Sequence, residues 1–167
     1  MKKYIILFLL MLSFLLNSCD PAPYYFKKDT YIDKIERIEL VKYNNDNYKM
    51  VDSAKVELEF DSSKVEKIEI LDGEKIEEFL SDYEKIVFLR ENDSVNEPTG
   101  YCLIWYLKNG NFIVFSDTSI GGRAYSMAAE FDASGRFVKH LAHFASRPHY
   151  EKILRKYFSS YDVQDTE

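Results

Sequence analysis

The chain has 167 residues, of which 46% are hydrophobic and 16% aromatic, and its formal charge at pH 7 is −6. This excess of acids argues against nucleic-acid binding, because phosphates are recognised by clusters of Lys and Arg. It also predicts that anionic lipid headgroups are repelled by the protein surface. The length suits one domain, and the aromatic side chains supply ample apolar area for its core.

The first 18 residues have the features of a secretory signal peptide. Lys2 and Lys3 supply positive charge, and an apolar run interrupted only by Ser13 follows from Ile5 to Leu16. A helix needs roughly 20 apolar residues to cross the hydrocarbon core of a bilayer. The run is shorter than that, so it is typical of a signal peptide and not of a membrane span.

This leader ends at Leu16-Asn17-Ser18-Cys19, which resembles the lipobox of bacterial lipoproteins. In that family an aliphatic residue stands three positions before an invariant cysteine, and a small residue directly before it. Leu16, Ser18 and Cys19 match, while Asn17 stands where Ala, Ser or Thr is commoner. The resemblance implies cleavage after Ser18 and a diacylglyceryl thioether on Cys19, with acyl chains such as palmitate anchoring the protein.

A lipid anchor of this kind determines where the protein resides. Two acyl chains give stable attachment where one gives only reversible binding. We therefore expect the protein on the cell membrane, facing the periplasm or the cell exterior. The alternative is an ordinary secreted protein whose leader happens to end near a cysteine.

Lipidation of Cys19 would leave Cys102 as the only free thiol of the chain. No disulfide could then form within the chain, and the fold would depend on packing alone. Cys102 lies in the apolar run YCLIWYL, where a cysteine is expected to be a buried small hydrophobe. Trp105 in the same run is likewise expected to pack in the core.

The segment after the cysteine, residues 19–30, is predicted to be a tether because it contains two prolines and no hydrophobic periodicity. Its aromatic residues are expected either to touch the membrane or to dock on the domain. Alternating apolar residues predict strands at 35–43, 56–60 and 65–71, the first two joined as a hairpin through the polar cluster at 44–47.

Two amphipathic helices are predicted from apolar residues at helical spacing. The first carries Ile76, Phe79, Leu80 and Tyr83, with Asp72 as its cap. The second is capped by Ser146 and has an apolar stripe formed by Ile153, Leu154, Tyr157 and Phe158.

The remaining strands lie between these helices. A short buried strand is predicted at 86–89. Asn109-Gly110 predicts a type I′ hairpin between strands at 101–107 and 112–116. A second hairpin is predicted from 125–131 and 136–140, after a loop at 117–123.

These elements predict an α+β fold, with an antiparallel sheet of about six to eight strands and the two amphipathic helices packed on one face. The expected domain organisation is a lipoprotein signal peptide at 1–18, a tether at 19–30, one globular domain at 31–161 and a disordered tail at 162–167. The layout resembles the small uncharacterised lipoproteins common in AT-rich bacteria, a likeness that conveys no activity.

Two short segments are candidates for a site. Gly121, Gly122 and Arg123 could contact an anionic ligand, since glycines let backbone N–H groups approach and Arg adds charge. His140, His143 and His149 suggest a metal site, but the H-E-x-x-H arrangement is absent, and a strand would point His140 and His143 to opposite faces. We predict neither a metal site nor a cofactor.

The sequence therefore favours a membrane-anchored, non-catalytic binding or accessory module of the cell envelope. Its expected partners are the membrane, through the lipid anchor, and an envelope protein or glycan. The alternative is a small envelope hydrolase that uses carboxylates or the segment with His140, His143 and His149. No catalytic residue is singled out by a motif.

Overall fold

The structure is a computed structural model that describes residues 23–43, 45–52, 57–89, 100–120, 123–144 and 147–161. Several predicted features lie outside these residues. They are the signal peptide with Ser18, the lipidation site Cys19, the loop residues Gly121 and Gly122, the capping residue Ser146, and the tail at 162–167.

The described part of the chain contains three α-helices and nine strands. The helices are α1 (Lys28–Tyr31), α2 (Glu74–Tyr83) and α3 (Arg147–Tyr157). The strands are β1 (Ile35–Lys42), β2 (Tyr48–Asp52), β3 (Glu57–Phe60), β4 (Glu66–Leu71), β5 (Phe88–Leu89), β6 (Tyr101–Leu107), β7 (Phe112–Ile120), β8 (Arg123–Phe131) and β9 (Phe137–Phe144). The predicted α+β class is confirmed.

Seven of these strands form one antiparallel sheet in the order β4-β1-β6-β7-β8-β9-β5, to which β5 contributes only two residues. Strands β2 and β3 form a separate two-stranded sheet. The predicted hairpin between the first strand and 56–60 is therefore wrong. β1 pairs with β4 and β6, and the partner of β3 is β2, a segment that was not predicted to be a strand.

One side of the large sheet carries an aromatic core centred on Trp105, which is fully buried as expected. The Trp105 ring lies 4.6 Å from that of Phe115 and 4.9 Å from that of Tyr83, between centroids. Residues from two helices belong to this cluster. They are Ile76, Phe79, Leu80 and Tyr83 of α2, Tyr150 and Leu154 of α3, and Phe158 directly after α3.

The opposite side of the sheet carries a second cluster, in which Cys102 is fully buried as expected. Phe60, at the end of β3, packs against Phe112 and Phe131, with ring centroids 6.0 and 5.7 Å apart. The small hairpin of β2 and β3 therefore reaches the large sheet through Phe60.

The hairpin between β6 and β7 is confirmed, but its turn is not the predicted type I′. The Gly110 N–H donates a hydrogen bond to the Leu107 carbonyl at 2.9 Å, so the central residues of the turn are Lys108 and Asn109, and Gly110 follows them. Gly110 has φ 89°, and the Asn109 side chain accepts a hydrogen bond from the backbone N–H of Asn111 at 3.0 Å. The loop predicted at 117–123 is shorter in the structure, because β7 continues to Ile120 and pairs with β8 from Arg123 onward. Backbone pairing with β8 therefore extends β7 through the polar residues at 117–119.

Helix α2 begins differently from the prediction. Its N-cap residue is Gly73, with φ 57°, and no side chain caps the helix there. Asp72 therefore does not act as the cap. The positive φ explains the glycine, because residues with a side chain adopt that conformation at a cost.

Part of the segment predicted as a tether packs on the domain. Tyr24 forms an antiparallel bridge with Phe88, and Phe26 is fully buried among six aromatic rings. Helix α1 then follows at once. The aromatic residues of this segment were expected either to touch the membrane or to dock on the domain. Tyr24 and Phe26 dock on the domain, where their rings complete the core on the helix side.

Candidate functional site

A groove of about 530 Å³ lies between α2 and α3. The C-terminal part of α2 and the residues after it form one wall, and α3 forms the other. Its lining residues are Asp82, Lys85, Ile86, His149, Lys152, Ile153, Arg155 and Lys156. We call this the helix groove.

Asp82 is the centre of the polar contacts in the helix groove. Its Oδ2 accepts hydrogen bonds from Lys156 Nζ at 2.7 Å and from Tyr157 Oη at 2.8 Å, and its Oδ1 accepts one from Lys85 Nζ at 2.7 Å. Hydrogen bonds from Lys156, then from Lys85 and Tyr157, hold the pKa of Asp82 well below its usual value. One carboxylate therefore stays ionised and is shared by two ammonium groups.

The pKa values of the two neighbours of Asp82 on α3, Lys156 and Tyr157, are shifted as well. Lys156 also contacts Glu78, with Nζ 3.0 Å from Oε1, and its pKa is raised chiefly by the hydrogen bond to Asp82. Partial burial raises the pKa of Tyr157 to about 12. These groups stay in one protonation state near neutral pH, so they fix the two helices together and are not poised to transfer protons.

The helix groove is cationic. Four basic side chains line it, from Lys85, Lys152, Arg155 and Lys156, against the single carboxylate of Asp82. Lys152 is exposed and forms no ion pair with any residue that the structure describes. Ile86 and Ile153 add an apolar part to the wall. Such a lining suits a ligand with an anionic group and an apolar portion.

Sequence reasoning did not single out this groove. A signal was present, because the 11 residues of α3 contain Arg147, His149, Lys152, Arg155 and Lys156 against one acid, Glu151, in an acidic chain. By itself this pattern predicts only an amphipathic helix with a basic end. Lys85, from a segment more than 60 residues earlier, could not be joined to it without the fold.

His140 and His149 lie apart. His140 pairs with Ala129, whose side chain belongs to the second cluster, whereas His149 is on α3 and lines the helix groove. His140 and His149 are therefore on opposite sides of the sheet. The backbone of His143 pairs with Leu89. Within the described residues, no group of three or more His, Cys, Asp or Glu side chains could hold a metal ion.

The acidic residues Glu77 and Glu78 of α2 have structural partners. Glu77 Oε1 lies 2.7 Å from Lys28 Nζ, which ties α1 to α2, and Glu78 contacts Lys156 of α3. Both carboxylates thus join helices. Of the predicted anion loop, only Arg123 falls in the described part, as the first residue of β8.

A buried carboxylate forms a second polar feature, on the opposite side of the sheet. Glu39 of β1 has no exposed side-chain surface, and its Oε1 accepts hydrogen bonds from Arg37 Nε at 2.7 Å and Lys67 Nζ at 3.2 Å. The Arg37 guanidinium stacks 3.8 Å above the centroid of the Tyr106 ring. Burial, then the charge of Glu39, raises the pKa of Tyr106 to about 12.

Comparison with known proteins assigns this chain to no group. No protein family, no curated protein and no solved structure matches it significantly. In the part of the chain that the structure describes, none of the helices is long and apolar enough to cross a membrane.

Proposed function

We propose that this protein is a lipid-anchored lipoprotein of the cell envelope that acts as a non-catalytic binding module. The observation that carries the proposal is the sequence Leu16-Asn17-Ser18-Cys19 after an apolar run too short to span a bilayer. Cys19 would carry the acyl chains, and the domain would face the periplasm or the cell exterior.

The position of the domain relative to Cys19 supports this role. The chain is packed on the fold from Tyr24 onward, five residues after Cys19. Five residues span at most about 17 Å when fully extended. A domain held so closely works at the membrane surface and not at a distance from it.

The helix groove is the binding site that we assign to this module. It combines a cationic lining with the apolar side chains of Ile86 and Ile153, which favours an anionic ligand. Envelope proteins and glycans both offer anionic groups, so the partner classes expected from the sequence remain compatible with this site.

The arrangement of the helices is part of the proposal. We take α2 and α3 as one layer over the Trp105 side of the sheet, because their buried residues share a cluster with Trp105 and Phe115. Ion pairs from Lys156 to Glu78 and Asp82 join the two helices across that layer. The groove then lies between the two helices of this layer.

The alternative of an envelope hydrolase gains no support from the geometry. It needed convergent histidines or carboxylates, yet His140 and His149 lie on opposite sides of the sheet, and Glu77 and Glu78 hold helices together. A binding module therefore accounts better for the contacts of these residues.

Counting thiols tests the lipid anchor. Cys102 is buried, and burial raises the pKa of its thiol, so it should not react with a disulfide reagent in the folded protein. If Cys19 is a thioether, the native protein purified from membranes should show no reactive thiol, and the unfolded protein one. A Cys102→Ala variant should then show none in either state.

The intact mass gives the second readout for the same sample. Loss of residues 1–18 together with an added diacylglyceryl group is the expected result. A full-length mass, or a thiol that reacts at once in the native Cys102→Ala variant, would refute lipidation of Cys19.

A further inference from the structure

The charge of the protein is distributed unevenly. The chain as a whole carries −6, and loss of residues 1–18 would remove Lys2 and Lys3 and no acid, which makes it more acidic still. The helix groove has the opposite sign, with Lys85, Lys152, Arg155 and Lys156 against Asp82. A cationic site on an acidic protein selects an anionic partner at one defined place, while the rest of the surface repels it.

This cationic site lies next to the point where the chain leaves the fold toward Cys19. Tyr24 and Phe88 exchange backbone hydrogen bonds of 2.6 and 2.9 Å. Lys85 and Ile86 of the groove precede Phe88 by only two or three residues. An anchor on Cys19 would therefore hold the groove close to the membrane surface.

Exposed apolar side chains flank the same point. The residues next to the bridged pair, Tyr24 and Phe88, are Tyr25 and Val87. Both are among the few large hydrophobic side chains exposed in the described residues. Lys27 Nζ lies 4.9 Å from the centroid of the Tyr25 ring. Exposed aromatic and basic side chains together are typical of surfaces at the membrane interface.

We infer that the helix groove binds the phosphate headgroup of an anionic phospholipid in the membrane that holds the Cys19 anchor. The domain would then lie with Tyr25, Val87 and the groove toward the bilayer. This inference rests on the proposed anchor and names the ligand of the groove. It also refines the expectation from net charge, since the anionic headgroups meet a local cationic site and not the average surface.

Lysine reactivity in nanodiscs tests this orientation. The mature, lipidated protein, which begins at Cys19, is placed in nanodiscs of phosphatidylcholine alone or with about 30 mol% phosphatidylglycerol. Acetylation by an uncharged amine-reactive ester is followed at each lysine by mass spectrometry. Lys152 should react about fivefold more slowly in the anionic nanodiscs, because its ammonium group is held by a headgroup.

Two controls separate groove binding from general effects. Lys108 lies in the turn before β7, at the end of the sheet opposite to the Phe88–Phe144 pairing, and its rate should not change. About 0.5 M NaCl should abolish the protection of Lys152, because the Debye length then falls to a few ångströms.

A pair of variants tests the groove itself. Lys85 also lines the groove, so its acetylation should be slowed in the anionic nanodiscs as well. In a Lys152→Gln variant, Lys85 should lose most of this protection, whereas Lys108→Gln should leave it intact.

Four outcomes would overturn the inference. They are equal rates at Lys152 in the two kinds of nanodisc, equal protection of Lys108, protection by inorganic phosphate with phosphatidylcholine alone, and protection that appears only when an acidic envelope polymer is added. The third would assign the groove to a soluble phosphate, and the fourth to another macromolecule.

Failure of the anchor is a separate result. It would appear as an unmodified Cys19 in the intact mass. The groove is then tested by sedimentation of the unanchored protein with vesicles of the same two compositions, and absence of binding to the anionic vesicles would refute headgroup binding.

Discussion

Phe26 lies edge-on to Phe115, with their ring centroids 4.8 Å apart, and this contact joins the segment before α1 to the centre of the sheet. Phe26 has no exposed surface. A residue only seven positions after the expected lipid anchor is thus part of the core. The domain and the proposed anchor are therefore separated by very few residues.

Replacing Phe26 should therefore destabilise the whole domain. Phe26→Ala removes a fully buried ring and leaves a cavity, so we expect the free energy of unfolding to fall by about 3–5 kcal/mol. Urea unfolding followed by tryptophan fluorescence measures this, because Trp105 lies 5.7 Å from Phe26 between centroids. Tyr25→Ala, at the exposed neighbour, is the control and should change the free energy by about 0.5 kcal/mol or less. Similar small effects for both would show that the segment is a tether after all.

The sequence predicted well the elements whose signal is local. Four apolar residues at helical spacing predicted α2, and Asn109-Gly110 predicted the hairpin between β6 and β7. Each of these signals lies within a few residues of the sequence. Pairing partners were harder to predict. β1 pairs with β6, which lies about 60 to 70 residues further along the chain, and no local pattern encodes that choice.

The candidate site shows the same limit. The basic residues of α3 are visible in the sequence, but Asp82 and Lys85 join them only through the packing of α2 beside α3. Phe26 was missed for a related reason. Two nearby prolines and the lack of hydrophobic periodicity make its segment look like a linker, and burial of one ring against distant strands outweighs that pattern.

Gly135 should tolerate substitution less well than Gly110. Both have positive φ, 84° and 89°, which costs about 1–2 kcal/mol for a residue with a side chain. A Cβ at Gly135 would in addition collide with the backbone carbonyl of Phe60, whereas one at Gly110 would meet Ala133 at an ordinary 3.6 Å. Thermal unfolding should show a clearly larger loss for Gly135→Ala than for Gly110→Ala. Equal losses would mean that β3 can move away from the turn.

The two cations that contact Glu39 should contribute unequally to stability. The Arg37 side chain is 31% exposed and stacks on Tyr106, whereas the Lys67 side chain is 54% exposed. Arg37→Ala leaves a buried carboxylate poorly compensated, so we expect a loss of about 2–3 kcal/mol in urea unfolding. Lys67→Ala, as the matched control, should cost less than about 1 kcal/mol.

Arg37→Lys distinguishes charge from shape at this position. It keeps the positive charge but loses the planar stacking on Tyr106, so we expect an intermediate loss of stability. If this variant is as stable as the wild type, charge alone accounts for the role of Arg37. If it is as unstable as Arg37→Ala, the stacked geometry accounts for it.

The contacts of Asp82 predict a specific dependence of stability on pH. Since the folded-state pKa is lowered, the carboxylate contributes stability above its unfolded pKa of about 3.9 and loses it as the pH falls through the folded value. Asp82→Asn should therefore be less stable than the wild type at pH 7, by about 1 kcal/mol after allowance for solvent screening of a partly exposed group. The difference should shrink steadily below about pH 4, as the wild type loses this contribution and the variant does not.

Urea unfolding at several pH values measures this difference. Asp72→Asn is the control, because Asp72 is exposed and forms no hydrogen bond or ion pair with any other residue in the described ranges. A constant difference between Asp82→Asn and the wild type from pH 7 to 2 would contradict the prediction. It would mean that Asp82 stabilises the α2–α3 contact through its shape and hydrogen bonding and not through its charge.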